Sequence, residues 1–272
     1  MTEPAHDHGT RRTVHHGSPA LVVVAHGSRD PRTPRTVATL LDRVRELRPG
    51  LDVRLGHIEL NEPALPDTLA ALGAGRAVLV PLLLGRGVHI KRDLPAFATA
   101  ASRLETRIAG ALGPHPLLVE ALYDRLTQAG WHTSARARPR THSRTHPGGD
   151  AVVLAAAGSR DPESAADTRR TAALLSERLG GVPVLAAYAS AASPTVPEAL
   201  RALAARGHHR TAVASYFTAP GYFAGRSAAA APWIAAAPLG AHPALARLLL
   251  HRYDEALTTP SPTRARRRLA TA

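Results

Sequence analysis

Apolar runs bounded by turn residues alternate along this chain with stretches in which apolar positions recur every three or four residues. Residues 21–25, LVVVA, read as a short buried strand. His26 stands at its end, and Gly27 and Ser28 follow as a turn. Val37, Leu40, Leu41, Val44 and Leu47 then recur at helical spacing until Pro49-Gly50 stops the pattern. Residues 51–60 alternate and predict a strand ending near Glu59. Pro63 reads as the opening of a helix that runs through Leu69 and Leu72 to Gly73. Residues 77–84, AVLVPLLL, form a further buried strand, in which Pro81 predicts an edge position or a bulge. Gly85, Arg86 and Gly87 make a loop carrying His89, a helix starts at about Asp93, residues 113–116 turn, and residues 117–126 form a last helix. Strands alternating with helices imply a parallel sheet covered on both faces, with ligands taken at the carboxyl ends of the strands.

The pattern then returns. Residues 152–162, VVLAAAGSRDP, repeat the layout of residues 21–31, and Gly158 to Pro162 match Gly27 to Pro31 one by one. Strands at 152–156, 182–188 and 211–217 and helices at 164–179 and up to Arg206 follow in the same order. Pro194 and Pro197 match Pro63 and Pro66, and Ala241-His242-Pro243 matches Pro114-His115-Pro116. The expected fold class is therefore α/β, with two similar domains produced by internal duplication. The first spans residues 19–130 and the second residues 151–257. An Arg-rich linker is expected at 131–150, a disordered leader at 1–18 and a basic disordered tail at 258–272.

Composition changes this picture in three ways. Aromatic residues are only 4% of a chain that is 44% hydrophobic, so the cores must be built from Ala, Val and Leu. The formal charge of +13 is concentrated in Arg136, Arg138, Arg140 and Arg144 of the linker and Arg264, Arg266, Arg267 and Arg268 of the tail. Such a balance suits nucleic acid, an anionic membrane or a polycarboxylate ligand, or solvated tails that bind nothing; the lack of interleaved aromatics argues against nucleic acid. There is no Cys, so any metal must be held by His, Asp or Glu. His6, His8, His15 and His16 of the leader could bind metal only adventitiously. No secretory leader is visible, and the longest uncharged run, 227–246, is broken by Pro232, Pro238 and Pro243. A cytoplasmic protein with no membrane segment is expected.

His26, Glu59 and His89 fall at the ends of successive strands. In the second copy they become Ala157, Ser190 and Phe223, while the surrounding glycines and prolines remain. A purely structural trio would not be lost together. Two imidazoles and a carboxylate suit a divalent transition metal, and they equally suit proton removal near neutral pH; spacing leaves both roles open. No nucleophile elbow, Walker loop, H-E-x-x-H or G-x-G-x-x-G motif is present in the context each requires.

The pieces AHGSRDP, HIELNEP, VPLLLGRGVHIKRDLP and GPHPLL resemble the sirohydrochlorin chelatase family of the CbiX/SirB type, over residues 20–126 and, as a degenerate copy, 151–257. The resemblance implies an ATP-independent chelatase that inserts Co²⁺ or Fe²⁺ into sirohydrochlorin, for cobalamin or sirohaem, in a cleft between two facing domains. By position, His26 and His89 match the family's active-site histidines and Glu59 its cleft carboxylate, making these three the expected catalytic and metal-holding residues. No organic cofactor is implied, and the metal is itself a substrate. The eight carboxylates of the tetrapyrrole would be met by Arg29, Arg86, Lys91, Arg92 and Arg226. Arg29 and Arg160 could alternatively close their turns through Asp30 and Asp161. The long Arg-rich linker, the leader, the tail and the missing second pair of histidines depart from the family's pattern. Rival readings are a non-catalytic metal or tetrapyrrole carrier, a protoporphyrin ferrochelatase and a nucleic-acid-binding protein. Oligomeric state is not readable from the sequence.

Overall fold

The computed structural model describes residues 17–132 and 149–259. The leader histidines and the arginines of the linker and tail lie outside these residues, as do the disorder expectations made for them. The first half is a four-stranded parallel sheet of order β2-β1-β3-β4, with β1 at Ala20–Ala25, β2 at Val53–His57, β3 at Gly75–Pro81 and β4 at Leu104–Ile108. The second half is a three-stranded parallel sheet of order β6-β5-β7, with β5 at Asp150–Ala156, β6 at Val184–Tyr188 and β7 at Arg210–Tyr216.

The central strands are apolar throughout because both faces are covered. Leu21, Val23 and Ala25 face one core while Val22 and Val24 face another. On the outer face, α2 (Leu65–Ala71) and α3 (Leu94–Ala100) bury Leu65, Leu69 and Leu94; in the second half α6 (Val196–Ala204) does the same with Val196, Ala199 and Leu203. The inner faces share a single core, filled by α1 (Arg32–Leu47), α4 (Pro116–Gln128), α5 (Pro162–Arg178) and α8 (Pro243–Thr258).

The last helices of the two halves are exchanged. Helix α8 packs on α1, β3 and β4, and α4 packs on α5 and β7. Polar contacts fix the exchange. Tyr253 Oη donates to the Pro19 carbonyl at 2.6 Å, Arg107 donates to the carbonyls of Ala256 and Leu257, and Arg48 forms a two-pronged pair with Asp254 at 2.6 and 2.8 Å. In return, the Arg178 guanidinium lies 3.7 Å from the Tyr123 ring centroid, and Arg125 donates to the Leu239 carbonyl.

Several local expectations are corrected. Strand β4 is not signalled by its sequence, LETRI, because an edge strand need bury little. The second half replaces it by the bridge between Val213 and Ala235. Strand β3 is interior, not an edge. Pro81 is tolerated because it lies past the last β3–β4 pair, Leu79 with Ile108. Helix α2 starts at Leu65 with Pro66 in its first turn, while the Pro63 carbonyl accepts the His57 amide at 3.0 Å. The helix expected at Asp93 begins earlier, as a π-helical turn over His89–Asp93 that runs into α3. Among the described residues no helix is long and apolar enough to cross a membrane.

Candidate functional site

His26 leaves β1 on a turn that only glycine permits. Gly27 has φ +101°, and a Cβ there would collide with the Glu59 carbonyl. The Glu59 amide donates to the His26 carbonyl at 3.0 Å, and the Ser28 amide donates to Asn61 Oδ1 at 2.6 Å. The second half repeats the device without its imidazole. Gly158 has φ +90°, a Cβ on it would strike the Ser190 carbonyl, and the Ser190 amide donates to the Ala157 carbonyl at 2.9 Å. Ala157 and Ser190 thus stand where His26 and Glu59 stand. Val78 pairs with Leu21 as Ala212 pairs with Val152, and the same register carries His89 onto Phe223.

The fold brings His26 and His89 together. Their ring centroids are 4.7 Å apart at an interplanar angle of 83°. The His89 Nδ1–H donates to Asp93 Oδ2 at 2.6 Å, which leaves the Nε2 lone pair of the neutral ring free to bind a cation or accept a proton. Both imidazoles are half-buried. Asp93 was not among the sequence candidates; its place one helical turn after His89 is the signal that could have found it.

Among the described residues no group of three His, Asp or Glu side chains is placed to hold a metal ion. Glu59 donates its amide to the His26 carbonyl, accepts the Asn61 amide at its own carbonyl, and is exposed.

Two of the five expected carboxylate-binding cations have another occupation. Arg86 straddles Asp167, donating from Nε at 3.0 Å and from Nη2 at 2.7 Å, and its own backbone amide donates to the same carboxylate at 3.1 Å. Lys91 lies 2.6 Å from Asp161 and 2.9 Å from Glu163. Helix α5 and its N-terminal turn supply all three acids. Hydrogen bonding to Asp167 raises the Arg86 pKa further, and Lys91 holds the Asp161 carboxyl below its usual range. Tyr216 of β7, its phenol pushed up by burial, donates to the Leu84 carbonyl at 3.2 Å. The loop that carries His89 is therefore clamped to the second half.

Arg29 and Arg92 are exposed and have no ion pair among the described residues. The Asp30 carboxylate is taken by Arg32 at 2.7 Å, chiefly through hydrogen bonds that pull its pKa down to about 2, so Arg29 does not close the turn. Arg160 is likewise displaced at Asp161 by Lys91. Arg226, on α7 (Tyr222–Ala229), rests against Tyr222, with Nη1 3.4 Å from its hydroxyl.

The chain is similar to known proteins over both repeats. A sirohydrochlorin cobaltochelatase of Methanococcus aeolicus is 38% identical over 79 residues, 28% of this chain and 55% of the relative. The chain thus spans about half the length of that relative. A sirohydrochlorin ferrochelatase of Priestia megaterium is 26% identical over 260 residues, covering 88% of this chain and 91% of that protein. Among solved structures, SirB from Bacillus subtilis with Fe³⁺ superposes with a TM-score of 0.67 at 22% identity, over 88% of this chain and 96% of that one, which shows a shared fold. The CbiX family model matches residues 20–129 and 151–256, the two halves described above. With both repeats accounted for in this way, the chain belongs to the CbiX family.

Proposed function

We propose that this protein is a sirohydrochlorin chelatase, inserting Co²⁺ or Fe²⁺ into the macrocycle in the service of cobalamin or sirohaem synthesis. The observation that carries the reading is the His26–His89 pair, two half-buried imidazoles 4.7 Å apart on loops that press against the other half. The names of the relatives from Methanococcus and Priestia support it.

Insertion replaces two pyrrolic N–H protons by one M²⁺ ion, so the site must bring a cation and remove two protons. Neutral imidazole does both near neutral pH. His89, its Nδ1–H fixed on Asp93, presents Nε2 to the ion, and His26 offers a second nitrogen. Ligation by nitrogen and oxygen, without thiolate, lets the ion pass on into the ring. Glu59, exposed beside the turn, can relay protons to solvent. Arg29, Arg92 and Arg226 take the carboxylates of the macrocycle. The second half, lacking both imidazoles, serves as the opposing wall.

The test is His26→Ala with purified protein, sirohydrochlorin and Co²⁺ or Fe²⁺, followed by visible absorption. Loss of metallation above the uncatalysed rate is expected, and wild-type rates would remove His26 from the reaction. Ala157→His should leave the rate nearly unchanged.

A further inference from the structure

Six large apolar side chains are exposed among the described residues; Leu47, at the end of α1, and Trp233, beyond α7, stand apart from the other four. Leu60 follows β2, Val88 follows β3, and Tyr222 and Phe223 open α7 after β7, so all four belong to connections that leave the carboxyl ends of strands. Tyr222 is 70% exposed and Phe223 38%, in a chain with only five Tyr and three Phe. Their ring centroids are 5.5 Å apart with the planes tilted by 60°, and the Arg226 guanidinium lies 5.7 Å from the Tyr222 centroid. By strand register Tyr222 is the counterpart of Val88, and Phe223 of His89.

Contacts between the halves hold the segment just before this aromatic pair against the turn and helix that follow His26. Thr33 Oγ1 donates to the Pro220 carbonyl at 2.8 Å, and Gly221 lies against Ser28. The related loop of the first half reaches the other way, with Gly85 against Ser164 and Gly87 close to Ser159. The two loops thus cross the seam in opposite senses, one carrying an imidazole and the other a benzyl ring at the same position.

We propose that Tyr222 and Phe223 form the platform on which the macrocycle lies, with Arg226 engaging one of its peripheral carboxylates. This inference rests on the chelatase reading and adds the binding surface to it. The chemistry of the occupant fits: a flat apolar centre wants aromatic faces, and an anionic rim wants cations placed around them. Replacing the imidazole of His89 by Phe223 removes a competing metal ligand on that side and supplies a surface for stacking.

The experiment titrates sirohydrochlorin into metal-free protein, reading the visible spectrum, for the wild type, Tyr222→Ala/Phe223→Ala and Phe223→Trp. The double variant should raise Kd and KM for the macrocycle roughly tenfold, as loss of stacked rings does. Its melting temperature and its Co²⁺ absorption spectrum without macrocycle should stay as in the wild type, and Phe223→Trp should keep tight binding. Wild-type Kd in the double variant overturns the platform. So does a concentration-dependent dimer that disappears in the double variant, which would assign the patch to self-association. If the wild-type protein binds the macrocycle but fails to metallate it, the chelatase reading falls while the Kd comparison still decides the platform.

Discussion

Asp93 receives the Nδ1–H of His89 at 2.6 Å, across the single π-helical turn that carries both residues. A carboxylate in this place fixes the tautomer and the ring plane and so aims the free nitrogen. Asp93→Ala should therefore lower Co²⁺ affinity and metallation rate by about 10-fold to 100-fold. Visible titration with Co²⁺ reads the first and a metallation time course the second. Asp93→Asn, which still accepts the hydrogen bond, should recover part of the loss. Equal rates in all three proteins would show that His89 is oriented by its backbone alone.

The Arg86–Asp167 pair predicts a different phenotype from a substrate-binding arginine. Asp167 is almost fully buried in side chain, 4% exposed, whereas Arg86 is about half exposed. Arg86→Ala leaves a buried carboxylate without its partner. The melting temperature should fall, and the metallation rate should drop by roughly an order of magnitude as the His89 loop loosens. An increase in KM for the tetrapyrrole with unchanged melting temperature and kcat would return Arg86 to the substrate.

His115 and His242 cap α4 and α8 by the same bond. Each Nδ1 accepts a backbone N–H, from Leu117 at 3.1 Å and from Ala244 at 3.2 Å. Burial lowers both pKa values from 6.5, and a protonated ring could not accept these bonds. Both groups therefore bind fewer protons folded than unfolded. Their stabilisation is complete above about 6.5, the ordinary value, and is lost as the pH falls from there through the depressed folded values. Thermal melts between about pH 7 and pH 5 should show falling stability. His242→Ala should cost about 1 kcal/mol at neutral pH, as other lost caps do, and should flatten the slope.

Much of the site's skeleton was legible in the sequence because the duplication supplied its own control. The repeated G-S-R-D-P turn, the strand runs and the paired H-P caps recur in register, and of the three side chains that differ, His26 and His89 are the two whose rings the fold brings together. What stayed hidden depends on contacts between segments far apart in the chain. Arg86 and Lys91 look like free cations beside a histidine until α5 delivers Asp161, Glu163 and Asp167 to them. That the Glu59 backbone bonds into the His26 turn, with the residue exposed, is likewise set by a contact between distant segments. Strand β4 is silent because a polar edge strand carries neither a continuous apolar run nor strong alternation.

Cutting the chain between residues 132 and 149 should leave the protein in one piece. The join is not what holds the halves: α8 is fastened to the first sheet through Tyr253, Asp254 and the carbonyls that Arg107 engages, and α4 is fastened to the second. The two fragments, expressed together, should copurify and retain metallation. Fragments that separate on a sizing column would show the join to be essential.

That exchange also explains why a repeat stripped of its imidazoles is not dispensable. Leu248 and Leu249 of α8 are fully buried in the interior the two halves share, on a helix that packs against α1, β3 and β4 of the first half. A lesion there should destabilise the sheet of the opposite half, which carries His26 and His89. Selection on the working residues of one copy therefore acts on the framework of both.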